Sequence, residues 1–271
     1  MKRYFSWTVC LLLSALGGSA CQTAPEAVPP HFSQKTISAQ VLYDRLNQRQ
    51  NHIRDLKSLV KTQVSTPHRE QSFRQVLLLE TRGRLRLDTL NPFNQPVSIF
   101  ILNGKNTWLF DLQKNRLYTG LEVWNMMYDT LGTVFDFGEY LRVFSGAIPR
   151  LEHLRWKSAR LDAAKTHYVL EGEDPERQET VRLRLDASRL LPASLQKWSR
   201  GRPLYSAAWS DYAPVDGHPF PHSVAVARPA QKDRVTLHYS DPVINRGLAP
   251  DVFAPALPGL QPRRQPSAPA S

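Results

Sequence analysis

The chain has 271 residues, 35 Lys and Arg against 24 Asp and Glu for a formal charge of +11, and 41% hydrophobic residues. That length suits one large β-rich domain or two small ones, and the first is routine for barrels. Its two cysteines, Cys10 and Cys21, exclude a disulfide framework, because the first lies in a segment expected to be cleaved and the second would head the mature chain.

The first residues, MKRYFSWTVCLLLSALGGSAC, place Lys2 and Arg3 before an apolar run, Val9 to Leu16, that is too short for a stable bilayer span. Small residues Gly18, Ser19 and Ala20 follow, so residues 1–20 read as a secretory signal of the lipoprotein kind. Its loss would lower the charge from +11 to +9 by removing Lys2 and Arg3. Secretion argues against nucleic acid as the counter-charge and leaves anionic lipid head groups or polyanionic envelope components. Gly-Ser-Ala-Cys resembles the lipobox of bacterial lipoproteins, with Gly18 in place of the usual Leu; the alternative is ordinary cleavage that leaves a stray cysteine. The resemblance implies a diacylglyceryl thioether and an amide-linked acyl chain on Cys21, each buried CH₂ contributing roughly 0.8 kcal/mol to anchoring. Gln22 after the cysteine implies sorting to the outer membrane, with the protein on its periplasmic side.

Residues 21–38 hold three prolines and little apolar content, as a flexible tether requires, and residues 261–271 read as a disordered tail. The folded domain is therefore expected over residues 39–260. Ser38 is a candidate N-cap, and Leu42, Leu46, Arg49, Ile53 and Leu56 step by 4, 3, 4 and 3 along one helical face. From Lys57 the period changes to two. RQVLLLE, RLRLDTL and VSIFILNG read as strands, and NGKN and DLQKN as hairpin turns around the strand Thr107 to Leu112.

Two helical signals interrupt the strands. Trp124, Met127 and Tyr128 lie at helical spacing in LEVWNMMYDTL, and Phe137, Leu141, Phe144 and Ile148 step by 4, 3 and 4 before Pro149. The period of two then returns in HYVLEGE, TVRLRLD, LPASLQKWSR, PLYSAAWSDY, HSVAVAR and RVTLHYS. About four strands, a helical insert and six or seven more strands predict a mainly β protein with helices (α+β). A sheet this long must curl, and helices must cover its concave apolar side.

Catalytic and metal chemistry find little support. His218 and His222 have the spacing of a helical ligand pair, but the two prolines in GHPFPH exclude a helix, and a turn into the next strand is the plainer reading. His68 and His238 are scattered, and EGEDPE lacks the spacing and the Gly of a calcium loop. With no G-x-S-x-G elbow, P-loop or G-x-G-x-x-G, no enzyme, no cofactor and no metal are expected, although a dispersed Ser/His/Asp triad stays open.

The lipobox at Cys21, a helix ending HIRDLKSLVKTQV, the strand into LNPFNQPVSIFIL, the hairpin NGKNTWLFDLQKNRLYTG and the helix FGEYLRVFSGAIP together resemble the outer-membrane lipoprotein acceptor family LolB. The broader set of LolA-like proteins is similar too, and INRGLAPDVFAPALPG resembles the end of the DUF4292 group. The resemblance runs from about Leu42 to Pro149 and thins afterwards. It implies an unclosed antiparallel β-barrel, or half-barrel, with a helical lid over an apolar cavity for acyl chains. Leu85, Leu87, Val97, Ile99, Ile101 and Trp108 are then candidate cavity residues or plain core, and Trp124, Met127 and Phe144 candidate lid residues. In LolB the loop matching NPFNQP carries an exposed apolar residue that acts in transfer to the membrane, and Phe93 stands there here. The alternative is a Phe93 folded back onto the barrel rim.

The expected function is an outer-membrane-anchored lipoprotein that binds acyl chains and passes lipoproteins or lipid to the membrane, with a LolA-like periplasmic carrier as a partner. The rival is an envelope-assembly or sensing protein that uses the same fold as a protein-binding platform. A solidly packed concave face would favour the rival.

Overall fold

The computed structural model describes residues 37–50, 52–133 and 137–255. Cys21, the signal segment, nearly all of the tether and the tail at 261–271 lie outside them.

The first element, α1 (Ala39–Gln50), starts where expected. Ser38 Oγ accepts from the amide of Val41 at 3.4 Å, and Leu42 and Leu46, one turn apart, are buried. The helix stops at Gln50, so its expected continuation through Ile53 and Leu56, and the helical reading of HIRDLKSLVKTQV, are corrected. Asn245, distant in sequence, turns the chain by accepting from the Arg54 amide at 2.9 Å and donating to the His52 carbonyl at 2.7 Å. Leu56 is buried instead on the first strand.

Among the described residues, thirteen antiparallel strands form one sheet. The chain enters at its middle and moves outward through β1 (Asp55–Ser65), β2 (Glu70–Glu80), β3 (Arg84–Leu90), β4 (Pro96–Asn103), β5 (Asn106–Asp111) and β6 (Arg116–Thr119). It then crosses through α2 (Leu121–Leu131) and α3 (Phe137–Phe144) to the other edge. From there it returns through β7 (Arg155–Leu161), β8 (His167–Asp174), β9 (Glu179–Asp186), β10 (Pro192–Ser199), β11 (Arg202–Val215), β12 (His218–Arg228) and β13 (Asp233–Ile244), which pairs with β1. Among the described residues the edges β6 and β7 do not pair, so the barrel is unclosed.

The concave side holds the main core. Leu77, Leu85, Phe100, Leu102, Val226 and Leu237 of the sheet pack with Val123 and Met127 of α2 and Phe137, Leu141 and Phe144 of α3. The last carbonyls of α3, which have no partner inside the helix, accept from the Trp209 indole at 2.9 Å and the Tyr239 hydroxyl at 2.7 Å. Gly146 follows in the left-handed region (φ +79°), and a Cβ there would meet Pro221 at 2.9 Å, so glycine serves both the turn and the contact.

A buried ion cluster fixes α3 to the second half of the sheet. Glu139 lies 2.5 Å from the Lys197 ammonium on β10 and accepts from the Tyr205 hydroxyl on β11 at 2.9 Å and from Arg177 at 2.7 Å. Lys197, almost fully buried, also lies 2.6 Å from Glu179 on β9. Burial by itself pushes the Glu139 carboxyl up, but the bond from Lys197, helped by Tyr205 and Arg177, holds it below the usual glutamate range.

The convex side has a smaller core. Ile99, Ile101 and Phe110 are buried with Phe253 of the closing 3₁₀ turn Pro250–Phe253, and Trp108, Leu248 and Val252 flank them. Arg86 ties this strap down by donating to the Val252 carbonyl at 3.1 Å, and the Arg84 guanidinium lies over the Phe253 ring.

Candidate functional site

Strand register sorts the concave side into rows. Leu79, Leu85, Leu102 and Thr107 stand opposite one another across β2 to β5, and Leu77, Leu87, Phe100 and Leu109 form the next row. The row after that is Gln75, Thr89, Ser98 and Asp111. Because strand residues two apart share a face, all three rows look toward the helices. Between these rows and the helices lies a cavity of about 380 Å³, within the range of roughly 300–1,000 Å³ typical of small-molecule sites.

Met126, Met127, Thr130 and Leu131 of α2, with Phe137 and Phe144 of α3, form the opposite wall. Exposed lining residues mark the mouth: Gln113 and Lys114 in the β5–β6 turn and Thr130 in the last turn of α2. The β3–β4 turn lies on the same rim, because antiparallel pairing brings the end of β3 and the end of β5 to one side.

That turn closes on itself. Asn91 Oδ1 accepts from the amides of Phe93 at 2.9 Å and Gln95 at 3.0 Å, and Asn94 adopts the left-handed region that asparagine tolerates. Phe93 is 82% exposed, so it does not fold back onto the rim. Exposed Arg69, Lys114, Arg116, Arg200, Arg202, Lys232 and Arg234 share this rim and outnumber the exposed acids Glu70, Asp129 and Glu176.

The lid is held at one end. Arg69 donates to the Asp129 carbonyl at 2.8 Å and to the Thr130 carbonyl at 3.3 Å, satisfying orphan groups at the C-terminus of α2. One step on, Thr133 donates to Asp233 at 2.6 Å, and Arg228 donates to both.

Leu85, Leu87 and Val97 line the cavity, as do Met127 and Phe144. Val97 does so through an irregularity: Thr89 pairs with Ser98 but Leu90 with Pro96, which leaves Val97 as the extra residue of a bulge. Ile99, Ile101 and Trp108 are corrected, since they lie on the opposite face under the C-terminal strap. Trp124 is off the cavity wall too and stacks on Phe137 with ring centroids 6.4 Å apart. The sequence reading missed the polar row Gln75, Thr89 and Ser98; alternation in RLRLDTL already placed Thr89 beside Leu87, but the run LLL after Gln75 hides the phase of β2. His218 stacks on His52 at 5.0 Å between ring centroids, while His222 meets the Asp211 carbonyl.

No protein-family model and no curated protein matches the sequence. Solved structures do match in fold. A DUF1329 family protein from Desulfovibrio piger is similar at 11% identity and a TM-score of 0.58, over 82% of this chain and 97% of that one. A domain from Vibrio parahaemolyticus designated an outer membrane lipoprotein-sorting protein gives 15% identity and a TM-score of 0.55, over 79% and 95%. A LolA superfamily protein from Nitrosomonas europaea gives 15% and 0.53, over 80% and 97%. With thirteen antiparallel strands, open edges and helices in the concavity, the chain has a LolA-like half-barrel fold.

Proposed function

We propose that this protein is an outer-membrane-anchored, periplasm-facing lipoprotein that holds acyl chains in its half-barrel and passes lipoproteins or lipid to the membrane. One observation carries the reading: an apolar cavity under a helical lid opens on the rim that also presents Phe93 and a band of exposed cations. The cations would draw that rim toward anionic head groups, and Phe93 would enter the apolar layer. The lipid on Cys21 would keep the rim near its target. No covalent step is required, and we read the protein as a carrier, not an enzyme. Apolar burial in the cavity competes with apolar burial in the bilayer, and the position of the lid sets the balance.

The designation of the Vibrio parahaemolyticus domain fits this reading, as does the cavity of about 380 Å³ between sheet and helices, where a protein-binding platform would be expected to pack solid. The test is transfer from a LolA-like periplasmic carrier loaded with labelled lipoprotein, followed as co-purification and then as insertion into vesicles. Capture of the label by this protein is expected. Unchanged membrane insertion in cells depleted of it would refute the acceptor role.

A further inference from the structure

The row nearest the mouth is polar in a cavity whose deeper rows are apolar. Thr62 donates to Gln75 Oε1 at 2.7 Å, and Gln75 Nε2 donates to Thr89 Oγ1 at 3.0 Å, so a hydrogen-bonded chain crosses β1, β2 and β3. Thr89 accepts in this chain and still has its own hydroxyl proton, and the Gln75 amide has a second N–H. Ser98 stands directly opposite Thr89 and adds another hydroxyl to the same cavity wall. Gln75 is 9% exposed, and the partly buried Thr89 and Ser98 line the same cavity.

We propose that Gln75, Thr89 and Ser98 form a collar that hydrogen-bonds the ester carbonyl of an acyl ligand, whose hydrocarbon runs inward past Leu87 and Phe100. The assignment rests on the acyl-chain reading above and adds the chemical class and orientation of the ligand. A ligand that fills the cavity displaces water from the collar, and a donor left unpaired costs more than a made bond yields. An alkyl chain attached through an ether lacks the carbonyl acceptor that these donors need. A free fatty acid fails differently. Its carboxylate would sit beside Asp111, which ends the same row, and Lys114, a cation of the cavity lining, is already paired with Asp111 at 3.5 Å. An ester supplies the acceptor without the charge, and its chain lies inward while its polar end stays at the Phe93 rim.

The test compares 1-palmitoylglycerol, 1-O-hexadecylglycerol and palmitate as competitors of the fluorescent probe N-phenyl-1-naphthylamine bound to the full chain at neutral pH. The ester is expected to bind about three- to tenfold more tightly than the ether, with palmitate weaker than the ester. Thr89→Val combined with Ser98→Ala should narrow the gap between ester and ether, chiefly by tightening the ether, whose binding then leaves no hydroxyl unpaired at these two positions. Equal wild-type affinities for ester and ether would overturn the collar, and this ratio decides even where the double variant does not fold. A variant that keeps the full preference for the ester would overturn it too. Failure of all three ligands to displace the probe would instead overturn the cavity reading on which the collar rests.

Discussion

Replacing Phe93 with Glu separates membrane contact from folding. The side chain is 82% exposed, and its turn is closed by Asn91 and not by the ring, so the folded state loses almost no buried area. Inserted in lipid, a phenylalanine contributes roughly 1.5–3 kcal/mol, which is about a 10- to 150-fold change in partitioning. Glutamate forfeits that gain and adds a charge that repels anionic head groups. Flotation of the unlipidated domain with vesicles containing anionic lipid should therefore show partitioning reduced by at least tenfold, with the melting temperature within about 2 °C of wild type. Affinity for a soluble acyl ligand should not change, because Phe93 is not on the cavity wall. Unaltered flotation would refute the membrane-contact role. A large loss of stability would show that the ring supports the rim.

Leu87→Trp should fill the cavity and lower ligand affinity at least tenfold while costing less than about 1.5 kcal/mol, because Leu87 already borders open space; chemical denaturation and probe displacement measure the two effects. Ile101→Ala should do the reverse, costing roughly 2–5 kcal/mol in denaturation with ligand affinity unchanged, because Ile101 is buried under the C-terminal strap. Glu139→Gln should destabilise by roughly 3 kcal/mol at neutral pH, since it leaves the buried Lys197 with one carboxylate fewer. Glu139 is held below its ordinary value of 4.5, so its contribution is full above that pH and is lost as pH falls through the lowered folded value. The gap between variant and wild-type melting temperatures should therefore narrow below pH 4.5 and vanish only once the folded carboxyl is protonated. Arg69→Ala should speed ligand exchange in stopped-flow displacement more than it lowers stability, because it frees the carbonyls at the end of α2.

Alternation is legible in a sequence only where the two faces of a strand differ. RLRLDTL has polar residues on one face, so the pattern puts Leu85 and Leu87 together on the other, while their place on a cavity wall follows only from the resemblance. VSIFILN is apolar on both faces because β4 is covered twice, by the helices on Phe100 and Leu102 and by the C-terminal strap on Ile99 and Ile101. Nothing local says which set faces inward, which is why Ile99 and Ile101 pass for cavity residues in the sequence. The same ambiguity shaped the first helix, where Leu56 fits helical stepping after Ile53 and also the strand alternation that carries Val60 and Val64. Asn245, nearly two hundred positions away, decides the boundary. The turn that carries Phe93 is legible because its formers act locally, whereas the exposure of the ring follows only from the resemblance to LolB.

The two inserted helices have different tasks, which their common helical periodicity conceals. The eight residues of α3 include five buried ones, its C-terminal carbonyls are taken by Trp209 and Tyr239, and its Glu139 enters a buried ion cluster. Moving α3 would break all of these at once, so it belongs to the core although Phe144 borders the cavity. In contrast, the eleven residues of α2 include only Val123 and Met127 as buried ones, while Leu121 and Tyr128 are 81% and 60% exposed. Its polar ties, from Arg69 and through Thr133, are gathered near its C-terminus at the Phe93 rim. Local opening costs least where few apolar contacts and few hydrogen bonds must be broken. Of the two helices, α2 is therefore the one that opens at least cost, and α3 is the fixed wall beside it.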